Sequence, residues 1–136
     1  MKVLTFSKVF PKKHINAGEP TNFKEKILSG EKIHTIRPET NKWKIGDQIS
    51  MRYWTGKPYH SKQEIFCEDF EVVELAPISI NFEKDLVTIY EFAYDLSLFH
   101  EVAKNDGLNM QQFTSWFKNE FKGVIIAWEN TCYDSL

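Results

Sequence analysis

The sequence has few cysteines and histidines, and none of them is spaced to bind a metal. It contains two cysteines, Cys67 and Cys132, which lie far apart, and four scattered histidines. Because no second histidine, cysteine or carboxylate stands at ligand spacing, we expect no metal site, and no pattern indicates another cofactor. Two cysteines also argue against a disulfide framework, so we expect a reduced, cytoplasmic protein.

Long apolar runs and two common catalytic motifs are missing as well. No apolar run approaches the roughly 20 residues that span a membrane. The opening segment MKVLTFSKVFPKK has too short an apolar stretch for a signal peptide. The glycine pattern of a phosphate-binding loop and the G-x-S-x-G motif of a serine nucleophile are both absent. We therefore expect no membrane partner.

The sequence does have enough length for one core, and many aromatic side chains. Because its 136 residues contain no repeat, linker or low-complexity run, we expect a single domain over residues 1–136. Aromatic residues make up 15%, including eleven phenylalanines and four tryptophans. Such rings dominate burial, so most of them should fill a compact core.

Charge is distributed unevenly along the chain. Residues 1–62 contain thirteen lysines and arginines and five acidic residues, whereas residues 63–136 contain four basic and fourteen acidic residues. The net charge of −2 argues against non-specific binding to nucleic acid. The basic N-terminal half nevertheless favours an anionic partner, unless the two halves intertwine and pair their charges. Both interpretations remain open from the sequence.

The hydrophobic pattern predicts an α+β chain that is mainly β. Predicted strands cover residues 3–6, 32–37, 48–54, 64–80 (one strand or two, interrupted at Pro77), 86–90 and 123–128. Predicted helices cover residues 21–30, 96–107 and 110–121, the last one capped by Asn109. This order fits a closed or nearly closed β-barrel with flanking helices, and the long irregular segment 8–20 is of a length that is often functional.

Polar side chains are dense where the first helix meets the second strand, in GEKIHTIR. Lys32, Thr35 and Arg37 lie within six residues, together with His34. Burial can tune a lysine amine toward a base, threonine offers a hydroxyl, and arginine can hold a phosphate through two hydrogen bonds. The alternative is a half-exposed strand with solvated charges.

A second cluster alternates aromatic and basic residues in RYWTGKPYHSK. Its candidate binding residues are Arg52, Trp54, Lys57, Tyr59 and Lys62. Rings beside cations suit single-stranded bases or splayed-out nucleotides, so RNA or a modified nucleoside is the expected partner. The alternative is a polar hairpin loop with packed aromatic residues.

At this point the sequence resembles a known family. The run FKEKILSGEKIHTIR, followed by WKIGD and a strand, is similar to the opening of ASCH domains, and VAKNDGLNMQQFTSWF with FKGVIIAW is similar to their closing half. The segments GEPTNF and GKPYHSKQ resemble a phage-associated subgroup. The resemblance covers most of the chain, and it implies a PUA-like β-barrel and RNA binding.

A related small ASCH protein, a bacterial acetylcytidine amidohydrolase, carries a G-x-K-x-x-T-x-R run. Gly30, Lys32, Thr35 and Arg37 match that run. The resemblance implies that Lys32 is a proton acceptor and Thr35 a nucleophile. The nearest match to the family's acidic proton donor is Asp106, which is one methylene shorter than the glutamate expected, and a misplacement of about 1 Å can cost about 100-fold in rate.

Three functions follow as hypotheses. The first is binding of RNA or a modified nucleoside in a basic cleft between residues 32–37 and 52–62. The alternative is an amidohydrolase that removes an acyl group from a cytidine-type nucleoside through Lys32, Thr35 and Asp106. The third is a protein-interaction domain that uses the acidic half. The sequence leaves open whether the protein is an enzyme.

Overall fold

A computed structural model describes residues 1–94, 96–117 and 120–135. The chain is mainly β. Its strands, in chain order, are β1 (Lys2–Phe6), β2 (His34–Pro38), β3 (Gln48–Trp54), β4 (Gln63–Glu71), β5 (Glu74–Asn81), β6 (Leu86–Ile89), β7 (Phe92–Tyr94) and β8 (Phe121–Ala127). Its helices are α1 (Phe23–Leu28), α2 (Leu96–Asn105) and α3 (Met110–Trp116), with short 3₁₀ turns at Phe82–Lys84 and Tyr133–Ser135.

The strands form two separate sheets. The first has the order β1-β3-β4, and the second has the order β2-β8-β5-β6-β7. All neighbours are antiparallel except β1 and β3, which run parallel with Leu4 opposite Met51. The mainly β prediction is confirmed. The predicted closed barrel is not, because no strand ladder within the described residues joins the two sheets.

Two predicted features of the middle strands change. The long segment 64–80 breaks into β4 and β5 at residues 72–73, and Pro77 lies inside β5 instead of interrupting it. The carbonyl of Pro77 accepts from the Tyr90 N–H at 3.1 Å. The missing N–H of Pro77 therefore faces the side where the ladder with β6 ends, which is where a sheet tolerates proline.

One additional strand and the end of one helix also differ from the prediction. The segment after Ile89 turns back as β7, a strand that the sequence did not predict. Helix α3 ends at Trp116, before the predicted end, and Phe121 begins β8. Residues 118 and 119 of the predicted helix lie outside the described part of the chain.

The buried apolar side chains form one cluster between the sheets and under the helices. The ring of Phe6 on β1 meets Trp128, just after β8, edge-on at 6.3 Å between centroids. Phe99 of α2 contacts Phe113 of α3 at 6.1 Å. The aromatic residues therefore join sheet to sheet and helix to helix, and this packing fixes the place where β1, β2 and the end of α2 meet.

Candidate functional site

An open pocket of about 540 Å³ lies between the chain that follows β1, strand β2 and the end of α3. Its volume is in the range of small-molecule sites. Four residues that the sequence singled out line this pocket: Lys32, Thr35, Arg37 and Asp106. Lys32 and Asp106 are 74 positions apart, so the fold, and not the local sequence, brings them together.

Lys32 is buried at the C-terminal end of α2. Its Nζ donates to the backbone carbonyl of Asp106 at 2.5 Å and is 3.2 Å from the Asp106 Oδ1. The two neighbouring carbonyls are also occupied, that of Asn105 by the Ile33 N–H and that of Gly107 by the Lys26 Nζ. Helix C-termini leave such carbonyls without intrahelical partners and carry partial negative charge. The end of α2 therefore holds an ammonium group out of water.

Burial has a chemical consequence for this amine. It lowers the pKa of Lys32 from 10.5 to about 8, although Asp106 opposes the effect. Arg37 and Lys26 lower it further through charge repulsion. The ammonium also lies 4.5 Å from the centroid of the Phe23 ring. An amine in this environment exchanges its proton near neutral pH, as a general base requires.

Thr35 and Arg37 reach the pocket from β2. The Arg37 Nε donates to the Thr35 Oγ1 at 3.1 Å, and its Nη2 donates to the Thr5 carbonyl at 2.9 Å. Residues i and i+2 of a strand share a face, which explains this pair. In a regular strand, side chains three positions apart, such as those of Lys32 and Thr35, would lie on opposite faces of the sheet. Lys32 comes before the first residue of β2, in the turn between α1 and that strand, so its side chain can reach the same pocket as Thr35.

Arg37 is anchored as well as charged. Burial lowers its pKa from 12.5, while Asp106 and Tyr59 oppose the change. The guanidinium also lies 5.2 Å from the centroid of Phe6. Its Nη1 makes no hydrogen bond to any residue that the structure describes, so part of the cation remains available to a ligand.

Asp106 is held by Lys32 and by residues whose roles were not predicted from the sequence. Its Oδ1 accepts from Lys32 and from the Nδ1 of His34, each at 3.2 Å. The Nε2 of His34 lies 2.9 Å from the Tyr133 hydroxyl, which also accepts from the Asn105 side chain. The sequence places His34 in the polar cluster but does not predict its contacts. Asn105 and Tyr133 carry no local signal.

The long segment 8–20 forms another wall of the pocket. It folds back on itself through a bridge between Val9 and Pro20. His14 then joins it to α3: the ring lies 2.8 Å from the Gln112 carbonyl through Nε2 and stacks on Phe10 at 4.5 Å. The unusual length of this loop was the only signal that marked it, and the sequence did not identify His14 as a wall residue.

The second predicted cluster lies on the β3–β4 hairpin and not among the described residues that line the pocket. Arg52 is half-buried and donates to Ser50 at 3.1 Å. The rings of Trp54 and Tyr59 lie 5.1 Å apart, and Tyr59 is 85% exposed. Two further residues of the cluster, Lys57 and Lys62, are exposed.

No group of three or more histidine, cysteine or acidic side chains within the described ranges could hold a metal ion. Of the helices in the part of the chain that the structure describes, none is long and apolar enough to cross a membrane. A comparison of the chain with protein-family models, curated proteins and solved structures found no match.

Proposed function

We propose that this pocket binds an acylated nucleoside of the cytidine type and hydrolyses its amide bond. One observation carries the proposal: a buried lysine with a pKa of about 8 lies in the same pocket as a threonine hydroxyl that an arginine holds. General acid–base catalysis needs a group whose pKa is near the working pH. The resemblance to the amidohydrolase supports the choice of substrate.

Thr35 is the proposed nucleophile. The hydrogen bond from Arg37 stabilises negative charge on its oxygen, which lowers the cost of deprotonation. Neutral Lys32 accepts the hydroxyl proton as the oxygen attacks the amide carbonyl carbon. The C–N bond then breaks, the lysine ammonium returns the proton to the leaving amine, and an acyl-threonine ester remains. Attack by water on this ester releases the carboxylic acid and restores the hydroxyl.

Asp106 has a different proposed role from the one that the resemblance implies. Its Oδ1 accepts from both Lys32 and His34, which suits a group that positions the lysine better than one that donates a proton. In this structure Lys32 donates to Asp106 and not to Thr35. Once the lysine is neutral its attraction to the carboxylate weakens, and the amine is then able to turn toward Thr35.

The direct test is incubation with N4-acetylcytidine, followed by chromatography for cytidine. We expect Lys32→Met and Thr35→Val to lower turnover by about 100- to 10,000-fold, the usual contribution of a general base or nucleophile. Thr35→Ser keeps a hydroxyl at the same place and is the matched control, which should retain activity. Absence of turnover in the wild-type protein, or full activity in Thr35→Val, would contradict the proposal.

A second candidate function concerns the hairpin loop. The exposed ring of Tyr59 beside Trp54, with Lys57 and Lys62 nearby, supports binding of a short single-stranded RNA. The fold assignment to PUA-like ASCH domains is likewise a proposal, supported by residues 23–37 and 102–128.

A cytoplasmic location is also proposed. Within the described residues, Cys67 is in no disulfide. A protein with few cysteines and no disulfide framework is typical of a reducing compartment.

A further inference from the structure

A chain of buried and half-buried polar groups runs from the end of α2 to the pocket. The Asn105 amide nitrogen donates to the Tyr133 oxygen at 2.9 Å, and this hydroxyl lies 2.9 Å from the His34 Nε2. On the other side of the ring, the Nδ1 of His34 lies 3.2 Å from the Asp106 Oδ1. His34 is fully buried, with 0% exposure, so its ring nitrogens depend on these protein partners and not on water for hydrogen bonds.

The chemistry of the partners fixes where the imidazole proton sits. The Asp106 oxygen accepts from the lysine, so Nδ1 must donate to it, because an unprotonated Nδ1 would face another lone pair. On the other side of the ring, the Tyr133 oxygen accepts from the Asn105 amide nitrogen and lies 2.9 Å from Nε2. His34 therefore carries a proton on Nδ1.

The same contacts orient the two oxygens of Asp106 differently. Lys32 and His34 both bind Oδ1, and Oδ2 makes no hydrogen bond within the described residues. Every fully buried side-chain nitrogen or oxygen in that part of the chain has a partner. Oδ2 is therefore accessible, and Asp106 is one of the residues that line the pocket.

We propose that His34 is a positioning residue, which fixes the rotation of the Asp106 carboxylate so that Oδ1 holds Lys32 and Oδ2 faces the substrate amide. This inference rests on the proposed hydrolysis for its catalytic meaning, and on the hydrogen bonds alone for its geometry. A carboxylate bound by the flexible lysine only would be free to turn, whereas a second donor on a rigid buried ring holds it.

The geometry is tested without catalysis by long-range ¹H–¹⁵N NMR of the labelled protein near neutral pH, with the His34 signals assigned by their loss in His34→Asn. We expect the Nδ1 of His34 to be protonated. His14 is an internal reference of the opposite kind, because its Nδ1 accepts from the Asn16 N–H at 3.0 Å and its Nε2 donates to Gln112. An unprotonated Nδ1, with the proton of His34 on Nε2 alone, would overturn the inference.

The catalytic meaning is tested with two polar replacements that differ by one methylene. His34→Asn places an amide nitrogen near the Nδ1 position, and His34→Gln places it near Nε2. We expect His34→Gln to lose about 10- to 100-fold in kcat with KM little changed and with a shifted pH–rate midpoint, and His34→Asn to restore most of the rate. Equal kinetics in the two variants, or wild-type behaviour in His34→Gln, would refute the role.

The two proposals fail in distinguishable ways. If wild-type protein releases no cytidine, the proposed hydrolysis is wrong, and the NMR spectrum still decides whether His34 holds Asp106 as described. If hydrolysis occurs but the tautomer is the opposite one, only the role of His34 is lost. Thermal unfolding of both variants shows whether a loss of rate reflects loss of the fold.

Discussion

Lys32 is held by the backbone as much as by side chains. The carbonyl of Asp106 at the end of α2 and the Asp106 Oδ1 together receive its ammonium group, while the Phe23 and Phe6 rings cover it. Taking an ammonium out of water is costly unless it is paired and hydrogen-bonded. These partners do not offset the whole cost of desolvation, and the pKa of Lys32 is therefore lowered.

We expect the free energy of unfolding to rise between pH 8 and pH 10. In this window the folded protein releases the proton of Lys32, whose pKa is about 8, while the unfolded chain keeps it up to 10.5. Stability rises with pH wherever the unfolded state binds more protons, and the full interval corresponds to about 3 kcal/mol. The raised pKa of Tyr133 acts in the opposite direction above about pH 10.

Urea unfolding of wild-type protein and Lys32→Met across this pH range checks the expectation. The variant removes the amine and keeps most of the apolar length, so the difference between the two curves isolates Lys32. If the free energies of unfolding of the two proteins changed in parallel with pH, the amine of Lys32 would not be buried in its charged form. Lys32, Thr35 and Arg37 could be grouped from the sequence because they lie in one short run, and all three line the pocket.

The supporting residues could not be predicted in the same way. His34 meets Asp106 across 72 positions and Tyr133 across 99 positions. No local periodicity encodes such contacts, since they depend on which strands become neighbours. A buried histidine is satisfied by partners that only the assembled fold supplies.

Among the elements, the short connection between α2 and α3 contributes Asp106 and Leu108 to the lining of the pocket. Gly107 has a φ of +81°, and a Cβ at this position would lie 3.1 Å from the Cδ of Lys32. Asn109 then begins α3 with a capping box that includes Gln112, as the sequence predicted for its N-terminus. The turn therefore needs a glycine both for its backbone and for the space that the lysine stem occupies.

We expect Gly107→Ala to destabilise the protein more than Gly46→Ala and to lower the rate of amide hydrolysis. Gly46 also has a positive φ, +93°, but a Cβ added there would meet nothing within 4 Å, so it is a matched control for backbone strain. That strain costs about 1 kcal/mol in each variant. Thermal unfolding and turnover measure both effects, and equal losses would contradict a contact with Lys32.

Element prediction failed where turn chemistry was unusual. Strand β7 follows a two-residue turn made by Tyr90 and Glu91, with φ values of 53° and 70°. Hairpin turns of this geometry usually contain asparagine, aspartate or glycine, which are the residues that a sequence pattern recognises. A tyrosine and a glutamate provide no such signal, so the strand that follows them was not predicted.

On the scale of the whole molecule, the charge asymmetry of the chain is not removed by ion pairs within the described residues. Lys32 and Asp106 join the basic and acidic halves, as does the contact of His34 with Asp106, whereas Lys2 and Asp47 pair inside the basic half. Lys57 of the hairpin loop is exposed. This distribution favours a local anionic partner over mutual neutralisation of the halves.

We expect weak, salt-sensitive binding of a short single-stranded RNA at the hairpin loop. Lys57→Ala should reduce the slope of log affinity against log salt by about 0.7, the value for one phosphate contact on a single strand. Lys84→Ala removes an exposed lysine from the acidic half and should leave the slope unchanged. Fluorescence titration at several salt concentrations distinguishes them, and identical slopes for both variants would exclude the hairpin as the binding surface.

The overall architecture was only partly accessible from sequence. Periodicity predicted the mainly β content, and it placed β1, β2, β3 and β8 close to where they are. It did not predict that β1 pairs with β3 in parallel or that β5 pairs with β8, because pairing partners are chosen by long-range packing. The expected barrel failed on this point, since closure is a property of pairing and not of strand number.

The wide separation of the residues that meet at Asp106 also has a kinetic consequence. Ring closures of 72 to 99 residues carry a large entropic cost, so contacts of this kind form slowly. Early in refolding, Lys32 remains hydrated and titrates like any surface lysine. The pKa of its amine falls only when α2 packs against it. The rate at which Lys32 reacts with a reagent specific for neutral amines would therefore report the last stage of folding.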